Sequence, residues 1–221
     1  MPRPAPPHAR PDLLAQPSRA AAIAIAPEVL LLKHHAITAP LVAAIERISR
    51  EAPFRRLHTP GGGQMSVAMT NCGTVGWHSD TRGYRYLDRD PESGRPWPPM
   101  PPAFLSLASH AAAMAGFPGF EPDCCLVNRY AIGSQMGAHR DYDELDMRHA
   151  IVSVSIGLPA VFVWYGARRK GLAIPVLVED GDVVVFGGAA RAGYHGVRRL
   201  AARPEAACDA VRYNLTFRRA R

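Results

Sequence analysis

The residues of this chain best suited to chemistry are two histidines and an aspartate. His139 and Asp141 are separated by a single residue, and His195 lies far downstream. Two imidazoles and one carboxylate form the facial triad that binds non-haem Fe(II) and leaves coordination positions open. In a β-strand, residues i and i+2 point to the same face, so His139 and Asp141 can approach one ion while Arg140 points away. The triplet alone is a weak signal, because His and Asp also bind zinc.

A second set of polar residues alternates with apolar ones near the end of the chain. Residues 212–218 read R-Y-N-L-T-F-R, which predicts a strand with one apolar and one polar face. The polar face holds Arg212, Asn214, Thr216 and Arg218. If this face lines a pocket, its two guanidinium groups suit an anion with two ends; on an outer strand, the same face would meet water. Asn128 and Tyr130 alternate in the same way and add neutral hydrogen-bonding groups.

Short strands dominate the second half of the chain, where these residues lie. The β-type runs, several of them separated by turn signals, are 125–131, 151–158, 160–165, 174–178, 182–186 and 212–218. Many short strands without helix-length insertions predict an antiparallel sandwich or barrel of the jelly-roll type. Ahead of them, the spacing of apolar residues predicts helices over 41–51 and 104–115, and short strands within 23–32 and 65–70.

Length and composition fit one well-packed domain. The chain has 221 residues, of which 48% are hydrophobic and 20% charged. A net charge of +7 favours an anionic partner, with nucleic acid ahead of a membrane surface. Nearly all of the basic residues are arginine, a bias that genome composition also explains, so the charge carries only modest weight.

Cysteine usage and hydropathy predict a cytoplasmic protein. The four cysteines form no C-x-x-C pair, and Cys124 and Cys125 are adjacent, which favours reduced thiols. The longest apolar run, 20–32, is too short to cross a membrane and is interrupted by Pro27. The segment 1–18 is rich in Pro, Ala and Arg and predicts a disordered tail, which leaves 19–221 as a single domain.

Several sequence blocks in fixed order carry a family resemblance. They read N-R-Y at 128–130, H-R-D-Y-D at 139–143, I-V-S-V-S at 151–155, D-V-V-V-F-G-G at 182–188, Y-H-G at 194–196 and R-Y-N-L-T-F-R at 212–218. Together with 65–73 and the G-W pair at 76–77, they resemble the AlkB family, most closely its bacterial members. These are Fe(II)- and 2-oxoglutarate-dependent dioxygenases that repair alkylated nucleic acids. The resemblance extends from about residue 61 onward.

The resemblance implies a fold and a set of cofactors. The fold is α+β but mainly β: a double-stranded β-helix (jelly-roll or cupin-like) with N-terminal helices, a nucleotide-recognition lid over about 61–100 and a catalytic core over about 124–221. Fe(II) would be bound by His139, Asp141 and His195, and O₂ would be a co-substrate. The second co-substrate, 2-oxoglutarate, would be bound by Asn128, Tyr130, Arg212, Asn214 and Arg218, with Arg212 on its distal carboxylate.

The resemblance also implies a reaction and a substrate site. N-alkylated bases such as 1-methyladenine and 3-methylcytosine would be demethylated oxidatively, with release of formaldehyde, succinate and CO₂. Single-stranded DNA is the favoured partner, double-stranded DNA and RNA are the alternatives, and we expect a monomer that does not bind membranes. The implied substrate-binding residues are Trp77, Tyr84, Arg85, Tyr86, Asp143 and Arg169. Trp77 would stack on a flipped-out base, and Asp143 would meet its cationic ring.

Four positions depart from the family pattern, and other functions stay open. Ile132 replaces a proline, Gln135 replaces a basic residue, and Arg140 and Tyr142 are bulkier neighbours of the ligands, which puts substrate preference in question. None of these changes touches the iron or co-substrate set. The alternatives are a 2-oxoglutarate oxygenase acting on a protein or small molecule, a zinc-dependent hydrolase on a jelly roll, and a non-catalytic nucleic-acid-binding module.

Overall fold

The computed structural model describes residues 21–202 and 210–221, so the predicted tail at 1–18 and Cys208 lie outside the described residues. The first elements are β1 (Ala22–Ala26), β2 (Val29–Leu32), α1 (Thr38–Glu51), β3 (Ala68–Gly73), β4 (Gly76–Asp80), β5 (Gly83–Leu87) and α2 (Pro102–Met114). The later elements are β6 (Cys124–Tyr130), β7 (Met136–His139), β8 (Ile151–Gly157), β9 (Ala160–Gly166), β10 (Ile174–Val178), β11 (Val183–Phe186), a 3₁₀ turn (Gly188–Ala190), β12 (Tyr194–Val197) and β13 (Arg212–Arg218).

The strands form two main antiparallel sheets and one separate hairpin. The larger sheet has seven strands in the order β1-β2-β11-β8-β13-β6-β3, and the smaller has four in the order β10-β9-β12-β7. Strands β4 and β5 pair only with each other. From β6 onward the chain passes repeatedly from one sheet to the other, as it does in a jelly roll. This topology confirms the predicted mainly β fold.

The larger sheet is buried on both faces, which explains why its strands are so apolar. In β11, Val183 and Val185 pack in the cluster that includes α1 and α2, whereas Val184 and Phe186 pack in the cluster shared with the smaller sheet. Successive residues of a strand point to opposite faces, so both faces need apolar side chains. Helix α1 contributes apolar residues three or four positions apart, including Leu41, Ile45 and Ile48. The polar pocket therefore lies between the sheets, away from the helices.

Most predicted elements are confirmed, and the N-terminal strand needs a correction. The region 23–32 is a hairpin of two strands, β1 and β2, because the chain turns at Pro27 and Glu28, where Glu28 has a φ of +58°. The β4–β5 hairpin was not expected from the sequence. Both predicted helices are present as α1 and α2, and neither described helix is long and apolar enough to cross a bilayer.

A close backbone approach at the end of β3 gives a test of this packing. Gly73 has a φ of +127°, and a Cβ there would lie 2.2 Å from the carbonyl oxygen of Asp123. We expect Gly73→Ala to lower the free energy of unfolding by about 3 kcal/mol or more, measured by urea denaturation. Gly62 also has a positive φ, +81°, but open space around it, so Gly62→Ala should cost only about 1 kcal/mol. Equal losses in the two variants would contradict the close approach.

Candidate active site

The three predicted metal ligands meet at one end of the smaller sheet. Strand β7 ends at His139, which lies directly opposite His195 of β12. Asp141 follows in a loop and not in the strand, so the argument from strand alternation is wrong for this residue. The loop nevertheless returns the carboxylate to the histidines, and the candidate ligand atoms of all three residues lie within 4.8 Å of one another.

Backbone carbonyls orient both imidazoles toward the carboxylate. The Nδ1 of His139 donates to the Gly137 oxygen at 2.9 Å, and the Nδ1 of His195 donates to the Gly193 oxygen at 3.1 Å. The proton is thereby held on Nδ1, and the lone pair of Nε2 is free to bind a metal. Each Nε2 lies 3.9 Å from an oxygen of Asp141. The two distances run to different carboxylate oxygens, Oδ1 for His139 and Oδ2 for His195. Two donors bonded to one ion at roughly 2 Å each lie at most about 4 Å apart, so the three side chains are within reach of a shared ion.

The protonation states of these groups suit a cation. Burial and the neighbouring His139 imidazole lower the pKa of His195 to about 4, so its ring is neutral at pH 7. Burial would raise the pKa of Asp141, but Arg218 and the neighbouring imidazoles outweigh this and bring the pKa well below its usual value. A neutral imidazole and an ionised carboxylate are the forms that coordinate Fe(II), and the donor set therefore fits that ion.

A buried ion network behind Asp141 holds it in place. Arg218 donates to Asp141 Oδ2 at 3.0 Å, and its Nε lies 3.3 Å from Glu144. Arg191 contacts the other oxygen of Glu144 at 3.0 Å and donates to the backbone oxygen of Asp141 at 2.9 Å. Glu144 and Arg191 were not identified from the sequence. Residues 141–146, here called the acidic loop, have the composition of a solvated turn, and only the burial of Asp141 and Glu144 shows that part of the loop belongs to the interior.

A cavity of about 60 Å³ lies between the two sheets, next to the metal ligands. Arg212, which is 2% exposed, lines it and donates from Nη2 to the Ser155 hydroxyl at 3.0 Å. Its Nε and Nη1 are buried and find no hydrogen-bond partner within residues 21–202 and 210–221. Burial lowers the pKa of Arg212, which reflects the cost of an uncompensated buried charge. A carboxylate-bearing ligand would offset that cost, so the lining of the cavity suits 2-oxoglutarate.

The other predicted co-substrate residues surround Arg212. The guanidinium lies over the Tyr130 ring at 4.8 Å. Asn128 donates to Asn214 at 3.3 Å, and its own side-chain oxygen is without a partner in the described part of the chain. Asn214 in turn donates to the Ser153 hydroxyl at 2.8 Å. Ser153 and Ser155 were missed, although two serines alternating with buried aliphatic residues in a strand are a readable signal of a polar pocket.

A second cavity, of about 150 Å³, lies on the outer side of the metal ligands. The two cavities are adjacent, because four residues line both of them: Leu126, Met136, His139 and Arg218. Three of the predicted substrate residues line the outer cavity: Trp77, Tyr84 and Asp143. The Trp77 indole stacks on the Tyr84 ring at 5.5 Å and donates from Nε1 to Asp143 at 3.0 Å.

The remaining predicted substrate residues do not line this cavity. Arg85 is bound to Asp80 through both terminal nitrogens. Tyr86 donates to Glu144 at 2.6 Å and so attaches β5 to the acidic loop. Arg169 is exposed in the turn between β9 and β10. These three side chains are placed to position the site or to reach a larger ligand, and not to contact a group inside the cavity.

The metal assignment is testable by binding alone. His195→Ala removes one of three donors, and we expect it to weaken Fe(II) binding at least about tenfold, measured by anaerobic calorimetric titration. His149→Ala is the matched control, because this imidazole lies outside the group of candidate ligands. Unchanged Fe(II) affinity in the His195 variant would rule out the assignment.

Comparisons with known proteins agree with this geometry. Residues 28–218 match the model of the 2OG-Fe(II) oxygenase superfamily. The chain is 47% identical to the alpha-ketoglutarate-dependent dioxygenase AlkB of Salmonella typhimurium (strain LT2), covering 89% of this chain and 92% of that protein. It is 46% identical to the protein of the same name from Escherichia coli (strain K12), with the same coverage. The solved structure of OsALKBH1 superimposes with a TM-score of 0.76 at 27% identity, over 90% of this chain and 100% of that one.

Family model, relatives and structural neighbour all concern one kind of enzyme, and the donor set and cavity have the composition that this enzyme requires. The match spans nearly the whole chain and includes the candidate ligands, the β4–β5 hairpin and every described strand except β1. The chain therefore belongs to the AlkB family of the 2OG-Fe(II) oxygenase superfamily and is a dioxygenase that uses Fe(II), 2-oxoglutarate and O₂.

Proposed function

We propose that this dioxygenase repairs nucleic acid by removing N-methyl groups from bases such as 1-methyladenine and 3-methylcytosine. Single-stranded DNA is the preferred substrate, with duplex DNA and RNA as further substrates. The observation that carries the proposal is the outer cavity, where an indole and a carboxylate stand beside the metal ligand His139. The family resemblance of the sequence to alkylation-repair enzymes points to the same chemistry.

Two separate groups of residues would bind Fe(II) and 2-oxoglutarate. His139, Asp141 and His195 would hold Fe(II), and Arg212 would hold the distal carboxylate of 2-oxoglutarate beside Tyr130, Asn128 and Asn214. Arg218 would keep the Asp141 carboxylate ionised and correctly turned. Once bound, iron, 2-oxoglutarate and O₂ supply the oxidation of the N-methyl carbon to hydroxymethyl, with succinate and CO₂ as the other products.

The outer cavity would recognise the damaged base. Methylation at adenine N1 or cytosine N3 makes the ring cationic, and the carboxylate of Asp143 favours a cation. The face of the Trp77 indole would support the flat ring, since base–aromatic stacking tolerates any base. A base inside a duplex cannot reach this cavity without leaving the helix, which favours single strands or a flipped-out nucleotide. The hydroxymethylated nitrogen then releases formaldehyde and the unmodified base.

Two structural features support the proposed domain organisation and cellular compartment. The β4–β5 hairpin would be the central part of a nucleotide-recognition lid over about 61–100, within one catalytic domain at 19–221. Cys72, Cys124 and Cys125 are buried free thiols, which supports a reducing compartment such as the cytoplasm. We propose that the enzyme acts there as a monomer.

The decisive assay is formaldehyde release from oligonucleotides that carry one methylated base. Release should require Fe(II), 2-oxoglutarate and O₂ together, and His139→Ala should reduce it to background because a metal ligand is lost. His149→Ala serves as the control for changes at an imidazole outside the metal group.

Other outcomes would identify a different enzyme. Turnover of 2-oxoglutarate that is indifferent to methylated oligonucleotides would favour an oxygenase acting on a protein or small molecule. Activity that survives removal of 2-oxoglutarate and O₂ would favour a hydrolase. Full formaldehyde release by the His139→Ala variant would contradict the proposed site.

A further inference from the structure

Arg140, the residue between the first two candidate metal ligands, lines the outer cavity and lies against two tyrosine rings. Its guanidinium lies over the Tyr142 ring at 4.5 Å and over the Tyr194 ring at 5.5 Å. Among the residues that the structure describes, the Arg140 side chain has no ion pair and donates no hydrogen bond. Cation–π contacts with two aromatic rings are thus the polar contacts of its side chain within the described residues, and the residue is exposed, so its five donors are available to a ligand.

Tyr142 does not line the outer cavity, although the residues on both sides of it do. Asp141 and Asp143 belong to the cavity lining, whereas Tyr142 is 58% exposed. One face of the phenol ring is covered by Arg140, so the exposed area belongs to the rest of the ring. A large aromatic ring that is covered on one face by a guanidinium and otherwise exposed to solvent can stack on another flat ring.

Basic side chains continue this surface along the end of the smaller sheet. Tyr194 of β12 pairs with Gly166, the last residue of β9. The turn that follows β9 carries Arg168, Arg169 and Lys170, all exposed. His139 of β7 lies on the other side of β12. The ends of three adjacent strands therefore place aromatic rings and cationic groups beside the metal centre, and a phosphate-bearing chain is the ligand that such a surface attracts.

We infer that Arg140, Tyr142 and Tyr194 form a platform that binds the base next to the damaged one in single-stranded nucleic acid. The base stacks on the open face of Tyr142, Arg140 holds that ring and faces the adjoining phosphate, and the turn at 168–170 contacts the backbone further along. The inference rests on the proposed function, which supplies the damaged base in the outer cavity, and extends it to a second nucleotide.

The platform favours single strands over duplexes for a simple physical reason. In a duplex, both faces of the neighbouring base are already stacked and its edge is paired, so Tyr142 gains nothing without disrupting the helix. In a single strand, one face is free, and stacking on Tyr142 replaces contact with water. Two of the three platform residues, Arg140 and Tyr142, stand where the sequence departs from the family pattern, whereas Tyr194 belongs to the Y-H-G block that follows it.

The test compares two ligands under conditions that prevent turnover. The full-length protein, loaded with Fe(II) and 2-oxoglutarate without O₂, is titrated with a single-stranded DNA hexamer carrying one central 1-methyladenine and with 1-methyladenosine monophosphate. We expect Tyr142→Ala to lower the ratio of hexamer affinity to mononucleotide affinity at least about fivefold, since stacking of one base is worth that much or more. Tyr142→Phe keeps the ring and should preserve the ratio.

Matched variants separate a local role from general damage. Leu145→Ala alters another side chain of the acidic loop that is 82% exposed, and it should leave the ratio unchanged. An unchanged ratio in Tyr142→Ala, or an equal loss for both ligands, would overturn the platform, as would failure of the wild type to bind the hexamer. Tight hexamer binding that depends on Tyr142, without formaldehyde release in air, would instead overturn only the demethylation proposal.

Discussion

The charged carboxylate of Asp141, which is 9% exposed, is the constraint on which the rest of this site depends. An isolated ionised carboxylate in an apolar interior is costly, and it persists only with paired charges and hydrogen bonds around it. Arg218 supplies the pairing, Glu144 balances the charge of Arg218, and Arg191 forms a further ion pair with Glu144. The result is a metal-ligand carboxylate whose pKa is held low and whose position is fixed by hydrogen bonds from its protein neighbours. Arg218 also belongs to the strand that carries Arg212, so one strand of the larger sheet serves the metal ligands at one end and the co-substrate cavity at the other.

The acidic loop couples the metal centre to the surface that meets a substrate. Asp141 and Glu144 are held from the inside by arginines, while Asp143 and Glu144 accept hydrogen bonds from Trp77 and Tyr86 of the β4–β5 hairpin. Each strand of the hairpin is thereby attached to the same loop. A shift of the β4–β5 hairpin would therefore also move Asp141, because the residues bonded to the hairpin lie only two or three positions away from it in the acidic loop.

The sequence predicted those site residues that alternate along a single strand. It did not predict residues whose partners lie far away in the chain. The polar face of β13 could be predicted because strands repeat every two residues, and the structure places Arg212, Asn214 and Arg218 on the cavity. Glu144 and Arg191 could not be predicted, since their partnership joins distant parts of the chain and leaves no local signature. The hairpin at 22–32 was missed because the apolar residues on both sides of Pro27 and Glu28 were assigned to one short strand, although the chain turns there with a positive φ at Glu28.

The buried guanidinium of Arg212, whose Nε and Nη1 have no hydrogen-bond partner among the described residues, is the clearest sign that this jelly roll is built around an anionic co-substrate. The most direct test is calorimetric titration of 2-oxoglutarate into the anaerobic Fe(II)-loaded protein and into its Arg212→Met variant. We expect one equivalent to bind the wild type, and the variant to bind at least about tenfold more weakly, because a charge-assisted hydrogen bond to a buried carboxylate is lost. Retained Fe(II) binding would show that the variant is folded. Equal 2-oxoglutarate affinity in the two proteins would contradict the role assigned to this strand.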